Sequence, residues 1–541
     1  MTTTWIIRAS IAAIGVLVLT TTTFAQREQG DVRLTLNEAV QRAIDRNPDL
    51  AIVRLDTDVE AERLSEARGA YAPVFSTAFG RSRNVAPPTN FFLGDAGVDE
   101  KDWFSTTGVR QRLPWGAGTW SVSWDAARTT TNSPISSVDP TLLSGVELAF
   151  SQPLVKDRKI DASRQQQMIA RRNLDNAELR YRESAVQTVA TVKRAYWALK
   201  ASIANVGVQQ RSLDLAEELA RQNRIRVQAG QIPPLDLTQA EAEVAQRREN
   251  LIQARTLAED AEDHLRRLIM DPEDVAFWSA RLTPIDEPPA PERFPDTDAA
   301  VTNALKGRLD LSRASHDLDN AKTNVDFLAN QRLPDVRLEA SYRGNGLGGI
   351  QYLRTGAFPG IVSGSQARGF GDAVGQAFTP DYPTWSVGVV VSYTLGHSYE
   401  EASHARAQIE RRQAAQRISS LRLDAAESVR QAARQVRSTA ERVETARAGA
   451  ALAEQRHADE QRRYEVGLST TFLVTQAQRD LLQAQVNLLQ STLDHQAAVV
   501  NFEAVQEAPP AGTADGPARS PEIQLLPTPA PRGLFRTGTP Q

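Results

Sequence analysis

The sequence predicts a mixed fold in which a membrane-type β-barrel section is joined to very long α-helices, with the whole plan present twice. Three observations carry this reading. A set of residues recurs at a fixed offset, several strand-length segments alternate apolar and polar residues, and two helical stretches of roughly 70 residues have only thin apolar seams.

Leu215-Ala216-Glu217, Gly230 and Thr238-Gln239-Ala240 recur as Leu452-Ala453-Glu454, Gly467 and Thr475-Gln476-Ala477, at a constant offset (467 − 230 = 237 and 475 − 238 = 237). Arg226 and Arg463, Gln246 and Gln483, and Asn250-Leu251 and Asn487-Leu488 keep the same register. Nearer the start of each copy, Asp49-Leu50 with Pro73 matches Asp310-Leu311 with Pro334 at offset 261. The offsets differ by 24 (261 − 237), so the first copy carries extra residues between its proline and its long helix. Chance likeness between helices would not hold a glycine and a Thr-Gln-Ala triplet in register across a turn.

The elements follow in order. Arg8, the short apolar run Ile11 to Leu19 and small residues before Gln26 read as a secretory signal over residues 1–25. The run is too short to span a bilayer, which takes about 20 residues. The first copy is expected over 26–272, a Pro-rich linker over 273–296, the second copy over 297–506, and a disordered Pro-rich tail over 507–541. Each copy opens with a helix, 36–70 and 297–331, the first capped by Thr35 or Asn37. A proline then turns the chain into strands.

In 119–126, Trp120, Val122, Trp124 and Ala126 alternate with Thr, Ser, Ser and Asp; Val146, Leu148 and Phe150 alternate with Glu147, Ala149 and Ser151. The second copy repeats the pattern in Val336 to Arg343 and in Trp385 to Thr394, where Trp385, Val387, Val389, Val391 and Tyr393 share one face. Runs of about 9–12 residues suit a tilted strand crossing a bilayer. The gathered aromatics suit a lipid–water girdle, and Trp120, Trp124, Phe150, Trp385 and Tyr393 are the expected lipid-facing residues. Regions 85–102 and 344–384 read as long exterior loops. The extra residues of the first copy suggest a hairpin, with strands at 73–84, 104–113, 117–129 and 142–152 and a turn at Pro114-Trp115-Gly116-Ala117-Gly118. Either that hairpin crosses the membrane, so that the subunit has six strands, or it folds outside.

Residues 157–229 and 398–466 are rich in Ala, Arg, Gln, Glu and Leu, without internal proline, and would each run about 100 Å. Val429, Ala433, Val436, Ala440 and Val443 form one narrow stripe among arginines and glutamates. Such a helix needs a thin seam to each neighbour and water elsewhere. A free coiled coil and a water-filled tube of helices both meet that need.

Composition excludes several functions. The net charge of −4 argues against nucleic acid, and the absence of Cys removes thiol chemistry, disulfides and a lipid-modified N-terminal cysteine. The six histidines stand singly with no zinc spacing, and no nucleophile–base pair is readable, so neither an enzyme nor a cofactor site is expected.

Over about residues 33–505 the chain resembles the TolC family of outer-membrane efflux and secretion channels. The matching pieces are Leu34-Thr35-Leu36-Asn37-Glu38-Ala39, Asn47-Pro48-Asp49-Leu50, Ala70-Tyr71-Ala72-Pro73, Arg463-Tyr464-Glu465-Val466-Gly467-Leu468-Ser469-Thr470 and Ala477-Gln478-Arg479-Asp480-Leu481-Leu482. The resemblance implies a homotrimer, one shared barrel in outer-membrane lipid, and a helical barrel in the periplasm. It also implies a passive duct fed by an inner-membrane pump through a periplasmic adaptor. It assigns adaptor docking to the tip residues Val466, Gly467, Leu468 and Ser469, and more weakly to Gly230. The family's acidic entrance positions fall here on Leu473 and Gln476, leaving Asp236 as the nearby acid, so a charge-ringed entrance is not carried over. The competing class is a periplasmic coiled-coil adaptor or scaffold, which would show one helical hairpin split through a β-domain rather than two copies with their own strands.

Overall fold

A computed structural model describes residues 31–509 apart from 88–96, 134, 272, 290–294, 357–359 and 397. The expected signal segment and most of the expected tail lie outside the described residues.

The chain runs β1 (Asp31–Leu34), α1 (Leu36–Arg46), α2 (Pro48–Gly69), β2 (Val74–Ala86), β3 (Val98–Arg112), β4 (Thr119–Thr131) and β5 (Val138–Pro153). Then come α3 (Ala162–Gln228), α4 (Pro234–Ile269), α5 (Val275–Trp278) and β6 (Arg281–Pro284). The second copy follows with α6 (Thr297–Gly307), α7 (Leu309–Gln331), β7 (Asp335–Thr355), β8 (Ile361–Arg368), α8 (Phe370–Ala377), β9 (Pro383–Ser392), α9 (Tyr399–Glu465) and α10 (Thr471–Glu507).

The opening helix of each copy is two helices, not one. In the first, Asn47 leaves the helical region (ψ 119) and caps the next segment by accepting from Leu50 N–H at 3.1 Å, with Pro48 at the first position. Its amide also donates to the Leu268 carbonyl at 3.1 Å. In the second copy Arg308 breaks the helix at the equivalent place (308 − 47 = 261). It reaches the carbonyl of Val505, the equivalent of Leu268 (505 − 268 = 237), while its guanidinium pairs with Asp310 at 2.7 Å. Thr35, rather than Asn37, caps α1 in a full capping box with Glu38.

The duplication extends to the packing. Ala39 and Ala43 are sealed against α3 near Val192 and Ala195. Ala300 and Ala304 are sealed near Val429 and Ala432, at the same two offsets (300 − 39 = 261; 429 − 192 = 237). Alanines here let α1 and α6 lie close on the long helices. The first copy's core is the larger, gathering Tyr196, Leu199, Leu265, Ile269 and Leu282, each worth about 1.5–3 kcal/mol when fully buried. Part of the predicted linker is ordered into it. α5 packs Phe277 there, and β6 pairs in parallel with β1 to cover the other side.

Six long strands form one antiparallel sheet in the order β2-β3-β4-β5-β7-β9, with β8 beside the far half of β7. The 104–129 hairpin is thus a full part of the sheet, as β3 and β4, joined by the short Gly-rich turn. Residues directly opposite in an antiparallel pair share a face. One row across all six strands reads Phe75, Val109, Val122, Leu148, Tyr342 and Trp385. The row next to it, on the other face, reads Val74, Arg110, Ser121, Ala149, Ser341 and Ser386. One face of the sheet is therefore apolar and the other polar, and the polar one holds Arg343 against Asp125 and Glu147 at 3.0 and 3.2 Å. Arg110 and Arg112, set beside Val109 and Leu113, do not stop that segment from pairing, because backbone bonds set the ladder.

The expected loop 344–384 is mostly ordered. β7 continues to Thr355, β8 returns along it, and α8 lies on the apolar face over Gly344, Gly346 and Gly348. A Cβ at Gly344 or Gly346 would collide with the carbonyl oxygens of Ala377 and Ala373, so glycine there lets the helix backbone touch the strand. Likewise the expected loop 85–102 is shortened by β2 reaching Ala86 and β3 starting at Val98.

The chain has no native Cys, so single cysteines report the two faces cleanly. In cell membranes, Ser123→Cys should react with a charged thiol reagent from the aqueous side while Val122→Cys stays protected. Equal reaction at both positions would place the β3–β4 hairpin outside the membrane.

Candidate functional site

At the end of the molecule away from the sheet, α3 turns into α4 and α9 turns into α10. Both turns use the same device. Gly230 has φ 71 and Gly467 has φ 81, a left-handed conformation that suits glycine. Gly230 N–H bonds to the Val227 carbonyl and Gln231 N–H to Arg226; Gly467 N–H bonds to Tyr464 and Leu468 N–H to Arg463. These are paired Schellman closures, each satisfying two orphan carbonyls of a helix end. Thr470 then caps α10 through Leu473 N–H.

The tips present apolar side chains to solvent. Val466 is 70% exposed and Leu468 79%, and Ile225, Leu235 and Phe472 beside the turns are also exposed. Ser469 is held by a hydrogen bond to Glu460. A soluble helix end normally carries polar residues, so an exposed apolar cluster is unusual at this place.

Just behind the tips lies a buried polar knot that the sequence reading did not single out. Tyr464 is 2% exposed; its hydroxyl donates to Asn223 at 2.5 Å and lies 3.2 Å from the Thr471 hydroxyl. The guanidinium of Arg226 sits 4.2 Å from the Tyr464 ring centroid and donates to the Tyr464 carbonyl. Further along, Glu243 on α4 is buried between Arg247, at 2.5 Å, and Arg479 of α10, at 2.5 Å. Burial alone would raise the Glu243 carboxyl, but the hydrogen bond and charge of Arg479 with the charge of Arg247 outweigh it and hold the pKa below the ordinary value. The sequence did contain a signal for the knot. Tyr464 stands where the first copy has Val227, and an aromatic replacing a small residue at a duplicated position marks a place where the copies differ in use.

Of the residues expected near the entrance, Asp236 lies in the first turn of α4, Leu473 is exposed and Gln476 is half-buried. Asp236 is not the only acid nearby. Gln476 donates to Asp480 at 2.8 Å, and Asp480 also pairs with Arg456 at 3.0 Å. On the sheet, Trp120, Trp124, Phe150 and Trp385 share the apolar face, and Tyr393 continues the alternation one residue beyond β9. Trp124 is partly covered, its indole donating to Ser144 at 3.0 Å and its ring 6.4 Å from that of Phe370 in α8. Phe104, gathered with these aromatics in the sequence, lies on the polar face over Gly80. Among the described residues there is no group of acids and histidines that could hold a metal.

A duplicated chain with a two-faced strand sheet at one end and helical hairpins of about 100 Å leading to the other defines an outer-membrane channel with a periplasmic helical barrel. The chain belongs to the outer membrane efflux protein family, whose sequence pattern matches residues 120–269 and 300–505, one match in each copy. It is an outer-membrane channel of tripartite efflux systems, and the adaptor or scaffold alternative falls away. No curated protein matches the sequence. Crystal structures of CusC are similar with a TM-score of 0.63 at 13% identity, over 87% of this chain and 92% of theirs. The CmeC outer membrane channel of Campylobacter jejuni gives 0.62 at 15%, over 87% and 85%. The open state of the MtrE outer membrane channel of Neisseria gonorrhoeae gives 0.56 at 15%, over 87% and 89%. At these identities the likeness is one of fold.

Glu243→Gln leaves Arg247 buried without its counter-ion, which costs about 3 kcal/mol. The variant should show a lower thermal midpoint than wild type in detergent. Because the Glu243 pKa is lowered by folding, its stabilisation is present above the ordinary carboxylate pKa and is lost as pH falls through the lowered one. The gap between the two proteins should therefore close on acidification, and a gap that persists unchanged at low pH would refute this assignment.

Proposed function

We propose that three copies of this chain close a single barrel of eighteen strands, six from each, above a continuous helical tube. The tips at Gly230 and Gly467 then dock a periplasmic adaptor that brings cargo from an inner-membrane pump. The observation that carries the first part is that β2 forms one edge of the sheet and β9, continued by β8, the other, and that β2 and β9 are exposed along their lengths with no further strand beside them in one chain. Open edges cannot stand in lipid, because unpaired backbone groups there cost several kcal/mol each. Pairing the β9 edge of one copy with the β2 edge of the next satisfies both. Eighteen strands leave an open aqueous channel, since barrel diameter grows with strand number. The polar face, with Arg343, Asp125 and Glu147, would line it.

The second part rests on the exposed apolar cluster of Val466, Leu468 and Phe472 around a turn that fixes its shape. The chain would act as a passive duct, its energy supplied by the pump, serving efflux or a type I secretion route.

Gly467→Val strains the left-handed turn, and Leu468→Asp places a charge in the contact. Both should abolish export while heat-modifiable trimers still reach the outer membrane. Full export by both variants would overturn the docking role. Recovery of the detergent-free protein as a soluble monomer would overturn the shared barrel.

A further inference from the structure

On the apolar face, the apolar side chains cover 385–391 on β9 and 336–342 on β7, then move away from the helical end to Trp120, Val122, Trp124 and Ala126 on β4 and to Phe75 and Phe79 on β2. That drift is what a tilted strand needs to keep a level belt. Immediately beyond the belt, on the same face, the character changes abruptly. One row holds Arg81, Trp103 and Arg128, and the next holds Arg83, Lys101 and Thr130. Four cations thus stand on three neighbouring strands, within about 10 Å of one another across the row.

Their charges are incompletely answered. Asp99 serves both Arg83, at 2.8 Å, and Lys101, at 3.5 Å. Arg81 stacks over the Trp103 ring, 5.1 Å from its centroid, and among the described residues neither Arg81 nor Arg128 has a carboxylate partner. Both are exposed. The stacking keeps Arg81 beside the Trp103 ring at the border of the aromatic belt.

We propose that Arg81, Arg83, Lys101 and Arg128 bind the phosphate groups of a lipid headgroup in the leaflet at the far end of the barrel. The site rests on the reading that this face meets lipid. Position selects the ligand. The acyl chains of a lipid would cover Phe75, Phe79 and Val122, and its headgroup would then lie level with the cations. Guanidinium forks match phosphate oxygens in geometry and charge. A soluble anion would gain nothing from the adjoining apolar wall.

The test uses the full-length trimer in a neutral detergent, titrated with a bis-phosphorylated acyl-glucosamine disaccharide and with its dephosphorylated form, bound lipid being read by native mass spectrometry. Wild type should prefer the phosphorylated lipid. Arg81→Gln with Arg128→Gln should weaken that binding about tenfold or more, as expected for two basic residues at an anionic lipid surface. Arg110→Gln, on the opposite face, should leave it unchanged, and millimolar inorganic phosphate should not displace the lipid. Unchanged binding in the double variant, no preference in wild type, or full displacement by phosphate would each overturn the proposal. If wild type forms no trimer in the membrane fraction, the channel reading itself fails; if trimers persist and only the lipid preference is missing, this site alone fails.

Discussion

Backbone polar groups in hydrocarbon have to be paired, and that demand shapes the chain from end to end. Its sheet is complete internally but open at β2 on one side and at β9 and β8 on the other, so the barrel cannot be finished by one copy. Once strands must be shared, the helices continuing from each of them are placed side by side around a ring. Each helix then faces neighbours on two flanks and water elsewhere. This explains why α9, 67 residues long, carries so few large apolar residues. A thicker apolar face would have no neighbour to cover it.

With such thin seams, stability must be concentrated somewhere, and it is concentrated where the short helices pack on the long ones. The first copy buries Tyr196 there without exposure, its hydroxyl donating to the Leu34 carbonyl. The second copy keeps the alanine contacts but has Ala433 at the position of Tyr196 (433 − 196 = 237), with the partly buried Phe502 packed beside its core. Instead it uses the buried Arg308–Asp310 pair to hold the same helix break. The two copies therefore share a backbone plan and differ in the side chains that secure it. Ion pairs such as this one specify geometry more than they add stability.

The tips repeat that theme. Identical Schellman closures make both turns, yet only the α9–α10 turn is backed by Tyr464, which ties it to Asn223 on α3, while Arg479 ties α10 to α4. The two hairpins are thus joined here by buried polar contacts set beside a small apolar cluster of Leu219, Tyr464 and Val474. Such contacts depend on geometry, so a shift of one hairpin against the other breaks them as a group.

Much of this was legible in residues alone, because local rules decide it. Alternation of Trp120, Val122 and Trp124 with Thr and Ser requires a two-faced strand, Gly467 after Val466 requires a turn, and the 237-residue offset requires a second copy. Other features depended on distant partners. By residue type Thr35 and Asn37 are equal candidates for the cap, and the side chain of Glu38 decides for Thr35 by closing the box. Residues 344–384 looked like loop because Gly344, Gly346 and Gly348 carry no side chain to alternate, and their use emerges only when α8 lies across them. The linker read as featureless until β6 found β1, some 250 residues earlier. Burial of Glu243 and the union of four cations from three strands likewise follow from register and packing. Period and turn chemistry are properties of neighbouring residues, whereas pairing across hundreds of positions is set by the folded chain as a whole.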